Sequence, residues 1–138
     1  MKITLENALS MIKASEEKAK AIAVPAVITV VDQGGHFIAM HRMDNAPIGC
    51  IQISSGKAYT AAVLKLPTHV FTNLCQPGQE LFGINTINGG QFVVFGGGFP
   101  VVDEDEVIGA IGVSGGSVEQ DMQIAEAGLE SIQQGAAA

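Results

Sequence analysis

Two stretches decide the fold: VVDQGGHFIAMHRMD, from Val30 to Asp44, and GGGFPVVDEDEVIGAIGVSGGSVEQD, from Gly96 to Asp121. Each reads as two runs rich in β-branched and aromatic residues folded back at a turn. The first turn is Gly34-Gly35 and the second is the acidic run Asp103 to Glu106. A hairpin needs positive φ only at its turn, yet both stretches carry further glycines, so the pattern predicts backbone closely approached by something else. The sole arginine, Arg42, and two of the three histidines, His36 and His41, lie in the first stretch.

The flanks supply helices. Thr4 is the expected N-cap of a helix to about Val24, with Leu5, Ala8, Leu9, Ile12, Ala19 and Ile22 on one side and Pro25 as its stop. Ala26 to Asp32 reads as a strand buried on both faces, returning through His36 to Met43. Asn45 is the expected N-cap of a second helix with Pro47 in its first turn, and Ile51, Ala58, Ala62 and Leu66 point to a core. A short helix is expected from Thr68 to Cys75, then a turn at Gln76 to Gln79; residues 80 to 90 carry no clear pattern. Gln91 to Phe95, Phe99 to Asp103 and Val107 to Ser114 read as three more strands. Ser117 with Gln120 resembles a capping box, and Val118, Met122, Ala125, Leu129 and Ile132 form the apolar stripe of a last helix that should fray from Gly135 to Ala138. Connections between neighbouring strands are too short for parallel crossovers, so the fold is α+β with an antiparallel sheet.

Composition bounds the function. The 138 residues, 47% hydrophobic, fit one domain spanning 1–138. A net charge of −7 with seven scattered Lys and Arg disfavours nucleic acid. The charged N-terminus is unlike a signal peptide, and no apolar run approaches the ~20 residues needed to cross a bilayer, so a cytoplasmic chain is expected. Cys50 and Cys75 lack metal-site spacing and read as buried free thiols.

The VVDxGGxxxxxxRMD signature, SxxKAxTA from Ser54 to Ala61, the GGGxP turn and GAIGVSGG running into a helix with Asp121 resemble the GlcG/HbpS-like family, over residues 4 to 130. That family also occurs as the C-terminal domain of some corrinoid adenosyltransferases and is described as haem-binding or haem-degrading. The resemblance implies a profilin-like fold, with a five-stranded antiparallel sheet flanked by helices, and a homo-oligomer. Haem or a corrinoid is the cofactor it implies, with no fixed reaction.

Six residues are candidates for holding a cofactor: Arg42, Ser54, Lys57, Gly115, Gly116 and Ser117. Ser54 and Lys57 share a helix side, and Lys57 either meets an anion or pairs with Asp44 or Asp32. Arg42 either clamps a carboxylate bidentately or pairs with the same aspartates. Gly115, Gly116 and Ser117 precede a helix whose free N–H groups attract anions. His36 and His41 fall on opposite faces of a regular strand, and these two and His69 are candidate iron ligands with no partner visible in the sequence. Gly96 to Gly98 reads as a tight turn, and Asp103 to Glu106 lacks calcium-loop spacing. Three readings stay open: a protein binding haem, a corrinoid or another planar cofactor; an enzyme on a small oxo-acid, with Lys57 as base or nucleophile and Arg42 as clamp; and an accessory protein of a metabolic complex.

Overall fold

The computed structural model describes residues 2–137, with side chains to Gln133. Helix α1 (Leu5–Ala21) starts at Thr4, whose hydroxyl accepts from Asn7 N–H while the Asn7 side chain accepts from Thr4 N–H. Strands β1 (Val27–Asp32) and β2 (Phe37–Arg42) form the first hairpin, and β3 (Gly98–Asp103) and β4 (Glu106–Ser114) the second. Between them run α2 (Cys50–Leu64) and the short α3 (Phe71–Leu74), and α4 (Val118–Ala137) closes the chain. It passes Gly135, where fraying is expected, and Ala138 lies outside the described residues.

The sheet is antiparallel with order β2-β1-β4-β3. Glu104 and Asp105, both at positive φ, make the two-residue turn of the second hairpin, and Pro100 is tolerated because β3 is an edge strand. Helices α1 and α4 cover one face, where Met11, Ile12, Ile28, Val30, Ile111 and Ile124 are buried. Helix α2 covers the other, with Ala58, Ala61 and Ala62 against Val31 and Ala110.

The surplus glycines are explained here. A Cβ on Gly112 would lie 2.2 Å from Ser54 O, and one on Gly98 would lie 2.4 Å from Lys57 O, so bare backbone in β3 and β4 lets α2 settle on the sheet. Gly128 likewise lets α4 cross α1, where a Cβ would meet Ser15 Oγ at 2.5 Å. The hydroxyl of Ser15 donates to Ile124 O at 2.7 Å across that crossing. What approaches these glycines is the chain itself.

Several expectations are corrected. The sheet has four strands, not five, because Gln91 to Phe95 pairs with no strand among the described residues. Its backbone is instead claimed by side chains: Val93 N–H donates to Thr60 Oγ1 at 2.9 Å, and Thr72 Oγ1 donates to Val94 O at 2.7 Å. Asn45 does not cap α2; it takes a left-handed φ of 70° within a loop, and Gly49 occupies the N-cap without a side-chain bond. Leu66 lies beyond the left-handed Lys65 that ends α2 and is exposed. Helix α1 ends at Ala21, before Pro25, through the left-handed Ala23. In α4 Val118 is exposed, while Asp121, Ile124 and Gly128 turn inward with Ala125.

Candidate functional site

Helix α2 has two working sides. Ser54, Lys57, Ala58, Ala61 and Ala62 face the sheet and are buried. Gln52, Ser55 and Tyr59 on the side turned away from the sheet, with Ile51 at the margin between the two, form the floor of an open cleft of about 780 Å³. One wall comes from Gly35, Phe37 and Met40 of the first hairpin, and the other from Gly89, Gly90, Gln91 and Val93. The far wall rests directly on the helix because residue 56 is glycine: a Cβ there would stand 2.6 Å from Val93 Cγ2 and 3.1 Å from Gln91 O. Tyr59 is held where wall and floor meet. Its ring stacks on Phe92 with centroids 5.8 Å apart, its hydroxyl accepts from Asn88 Nδ2, and its Cδ1 would lie 2.6 Å from a Cβ on Gly35.

One layer behind the cleft, Lys57 passes beneath the Gly96 to Gly98 turn toward the start of α4. Its side chain is 1% exposed; Nζ donates to Val113 O at 2.8 Å and to Asp121 Oδ2 at 3.1 Å, with the Phe95 ring centroid 5.1 Å away. Asp121 uses its other oxygen, Oδ1, to accept Gly116 N–H at 2.8 Å. Burial pushes the Lys57 ammonium below its ordinary pKa while Asp121 pulls it back up. Burial also raises the Asp121 carboxyl, against the opposing pull of Gly116 N–H and Lys57. The partner of Lys57 is therefore Asp121, and neither Asp44 nor Asp32.

The other candidates distribute around this pair. Ser54 is buried and shares a 2.9 Å hydrogen bond with Thr29 Oγ1 of β1. Gly115 lies against Pro25 O and Ala26, where a Cβ would come within 2.4 Å. Ser117 N–H donates to Gln120 Oε1 and Ser117 Oγ accepts from Gln120 N–H, which is the expected capping box. The structure thus brings Lys57, Gly116 and Asp121 together, with Gly115 and Ser117 beside them, but Arg42 stands apart, exposed at the end of β2 next to the loop of Met43 to Ala46 and Ile48. Arg42 makes no ion pair with Asp44 or Asp32 among the described residues.

The histidines have partners that the sequence did not show. His36 Nδ1 lies 3.1 Å from Asp32 Oδ1, an oxygen that also accepts the N–H groups of Gly34 and His36. Burial pulls the Asp32 carboxyl upward, but these bonds and the imidazole outweigh it and hold it below the ordinary value. His41 Nδ1 lies 2.6 Å from Glu16 Oε1 on α1. The two imidazoles share a face rather than opposing one another. Ile38 forms a bulge between Val30↔Ala39 and Val31↔Phe37, which inverts the alternation. His36 consequently joins Ile3 and Ile108 of the α1 side around a separate recess. His69 is exposed beside Phe99. No group of three or more His, Cys, Asp or Glu residues able to hold a metal occurs among the described residues, nor any helix long and apolar enough to cross a membrane.

Comparison with known proteins fixes the family. The model of the haem degrading protein HbpS-like family matches residues 3–130, and the chain belongs to it. It is 49% identical to an uncharacterized 15.0 kDa protein of the dhaT-dhaS intergenic region of Citrobacter freundii, over 93% of this chain and 90% of the relative. It is 36% identical to the corrinoid adenosyltransferase PduO of the same organism over 96% of this chain, but spans only 39% of that longer protein. The solved complex of PduOC with haem superposes with a TM-score of 0.92 at 34% identity, covering 95% of each chain.

Proposed function

We propose that this chain is a binding protein for a haem-type planar cofactor, and that the cofactor enters the cleft between β2, α2 and residues 89 to 93. The carrying observation is the cleft itself. At about 780 Å³ it falls in the usual range for ligand sites, and it is walled by Phe37, Met40, Ile51, Tyr59 and Val93. An apolar slot with a few polar groups at its edge suits a flat ring system whose acidic substituents stay in water. Haem also fits by ligand chemistry, since Tyr59 offers a phenolic oxygen and Met40 a thioether. Bound there, haem would supply iron for redox or oxygen chemistry, while the protein's own residues grip the ring, exclude water from one face and fix its orientation. PduOC, so similar in fold, is seen with haem, which supports the same class of ligand here.

In this reading Ser54, Lys57, Gly115, Gly116 and Ser117 serve as the frame on which α2 is seated. Arg42, which does not line the cleft, serves neither as its clamp nor as a catalytic group. The oxo-acid enzyme draws less support, because the Lys57 amine already donates to Val113 O and Asp121 in a place without solvent. The test is a hemin titration followed in the Soret band, with cobalamin as comparison. A saturable shift of unit stoichiometry is expected, weakened in Phe37→Glu, a substitution at a side chain that is 67% exposed and therefore compatible with the fold. Absence of a saturable shift in the native sequence overturns the reading.

A further inference from the structure

Resting on the proposal that a haem-type ligand occupies this cleft, we infer that Tyr59 is its iron ligand, through the phenolic oxygen. Three observations converge on that atom. Among the described residues lining the cleft, Tyr59 is the sole side chain that can give iron an anionic oxygen; Gln52, Gln91 and Ser55 offer neutral groups, and Met40 a thioether that favours reduced, softer metal. The imidazoles that would compete are turned elsewhere, His36 toward Asp32 on the opposite face of the first hairpin and His41 toward Glu16. The Tyr59 ring is also pre-positioned. Phe92 stacks on it, the Gly35 turn lies against its edge, and Asn88 donates to its oxygen.

The Asn88 bond is the telling contact. A phenol oxygen can donate one hydrogen bond and accept through its lone pairs. Asn88 uses it as an acceptor, so the hydroxyl proton is left uncommitted by that contact and a lone pair remains for a ligand. An outer group that orients a metal ligand by a hydrogen bond is a recurrent feature of metal sites, and tyrosine is among the side chains that hold haem iron. The step balances without a change of oxidation state: the Tyr59 O–H bond breaks, an O–Fe(III) bond forms, and the proton passes to water. Asn88 is a positioning residue, since it touches Tyr59 and not the iron.

The experiment is hemin binding followed by absorption, electron paramagnetic resonance and resonance Raman on the native protein, on Tyr59→Phe and on Asn88→Ala. The native protein should show a high-spin ferric signal with a phenolate-to-iron charge-transfer band and phenolate vibrational modes. Binding should also release one proton for each hemin. Tyr59→Phe should lose band and proton release while still holding hemin more weakly through the cleft walls. Asn88→Ala should keep the band but lose affinity by about 10- to 100-fold, the usual effect of removing such an outer group. Saturable hemin binding with no phenolate modes in the native protein, or with identical spectra in Tyr59→Phe, overturns the assignment of Tyr59 and leaves the cofactor reading standing. No saturable binding overturns both. The vibrational reading on the native chain decides the matter even where a variant fails to fold.

Discussion

Replacing Lys57 by Met tests what the buried pair does. The methionine fills the lysine stem but removes the bond to Val113 O and leaves the Asp121 carboxylate buried with only the backbone N–H groups of Gly116 and Gly115 to oppose its burial. Removing one member of a buried pair costs roughly 3–5 kcal/mol, a large share of the ~5–15 kcal/mol that holds a domain together. For a chain of this size that is a fall in melting temperature of roughly 10–20 °C. The deficit should also depend on pH. Burial already raises Asp121 above its ordinary 3.8, and loss of Lys57 raises it further. A carboxyl raised on folding lends stability below its unfolded pKa and withdraws it as pH rises through the folded value. The variant should therefore lie nearest the native protein in mild acid and fall furthest behind at neutral pH. Adding Asp121→Asn should recover part of the loss, because the amide oxygen still accepts from Gly116 N–H and no charge remains buried. Differential scanning calorimetry from mild acid to neutral pH provides the measurement. A drop below about 3 °C, or one indifferent to pH and to the second substitution, would refute the claim that this pair seats α2 and α4.

Four further outcomes are expected. Gly112→Ala should cost about 1–3 kcal/mol or more in urea denaturation, because its Cβ would lie 2.2 Å from Ser54 O, whereas Gly49→Ala, with nothing within 4 Å, should be neutral or slightly stabilising. Arg42→Lys should leave hemin affinity within about twofold by Soret titration; a larger loss would return Arg42 to the role of carboxylate clamp. Asp32→Asn should weaken protection of the Gly34 and His36 amides in hydrogen exchange. Because the native Asp32 carboxyl is depressed, its contribution holds above 3.8 and disappears as pH falls through the folded value, so variant and native exchange should converge in strong acid. Light scattering should give a multiple of the 14.3 kDa chain mass, since Phe37, Ile48, Phe82 and Ile87 leave large apolar surfaces in water; a monomer at micromolar concentration refutes the homo-oligomer.

What the sequence made legible was the part governed by local rules. The Thr4 and Ser117 caps, both hairpins and the doubly buried β1 each follow from a few neighbouring residues, and each stands where those residues put it. Three features escaped because they are set by distant partners. Gln91 to Phe95 has strand composition, yet Thr60 and Thr72, 33 and 22 residues away from the atoms they bind, satisfy its backbone and keep it from the sheet. The Ile38 bulge reversed the faces of His36 and His41, a one-residue event that alternation alone does not reveal. Lys57 found Asp121 across 64 positions.

The site itself was hidden for a related reason. Glycines cluster in β3, β4 and ahead of α4, where Gly98 and Gly112 admit α2 to the sheet and Gly115 lies against Pro25 and Ala26. The cleft lies on the other side of that same helix, and its signal is the grouping of Gln52, Ser55, Gly56 and Tyr59 opposite the buried Ser54, Lys57 and Ala61. Seating and opening are two consequences of one pattern: small residues let α2 settle on β4, and Gly56 lets residues 91 to 93 settle on α2. A bulky residue at Gly56 should therefore lift that wall off the helix while sparing the sheet beneath. Gly56→Val should abolish hemin capture at a cost in stability well below that of Gly112→Val, as calorimetry beside the Soret titration would show. Equal losses of stability at the two positions would mean that wall and core are one cooperative unit, and that the cleft is not a separable feature of this fold.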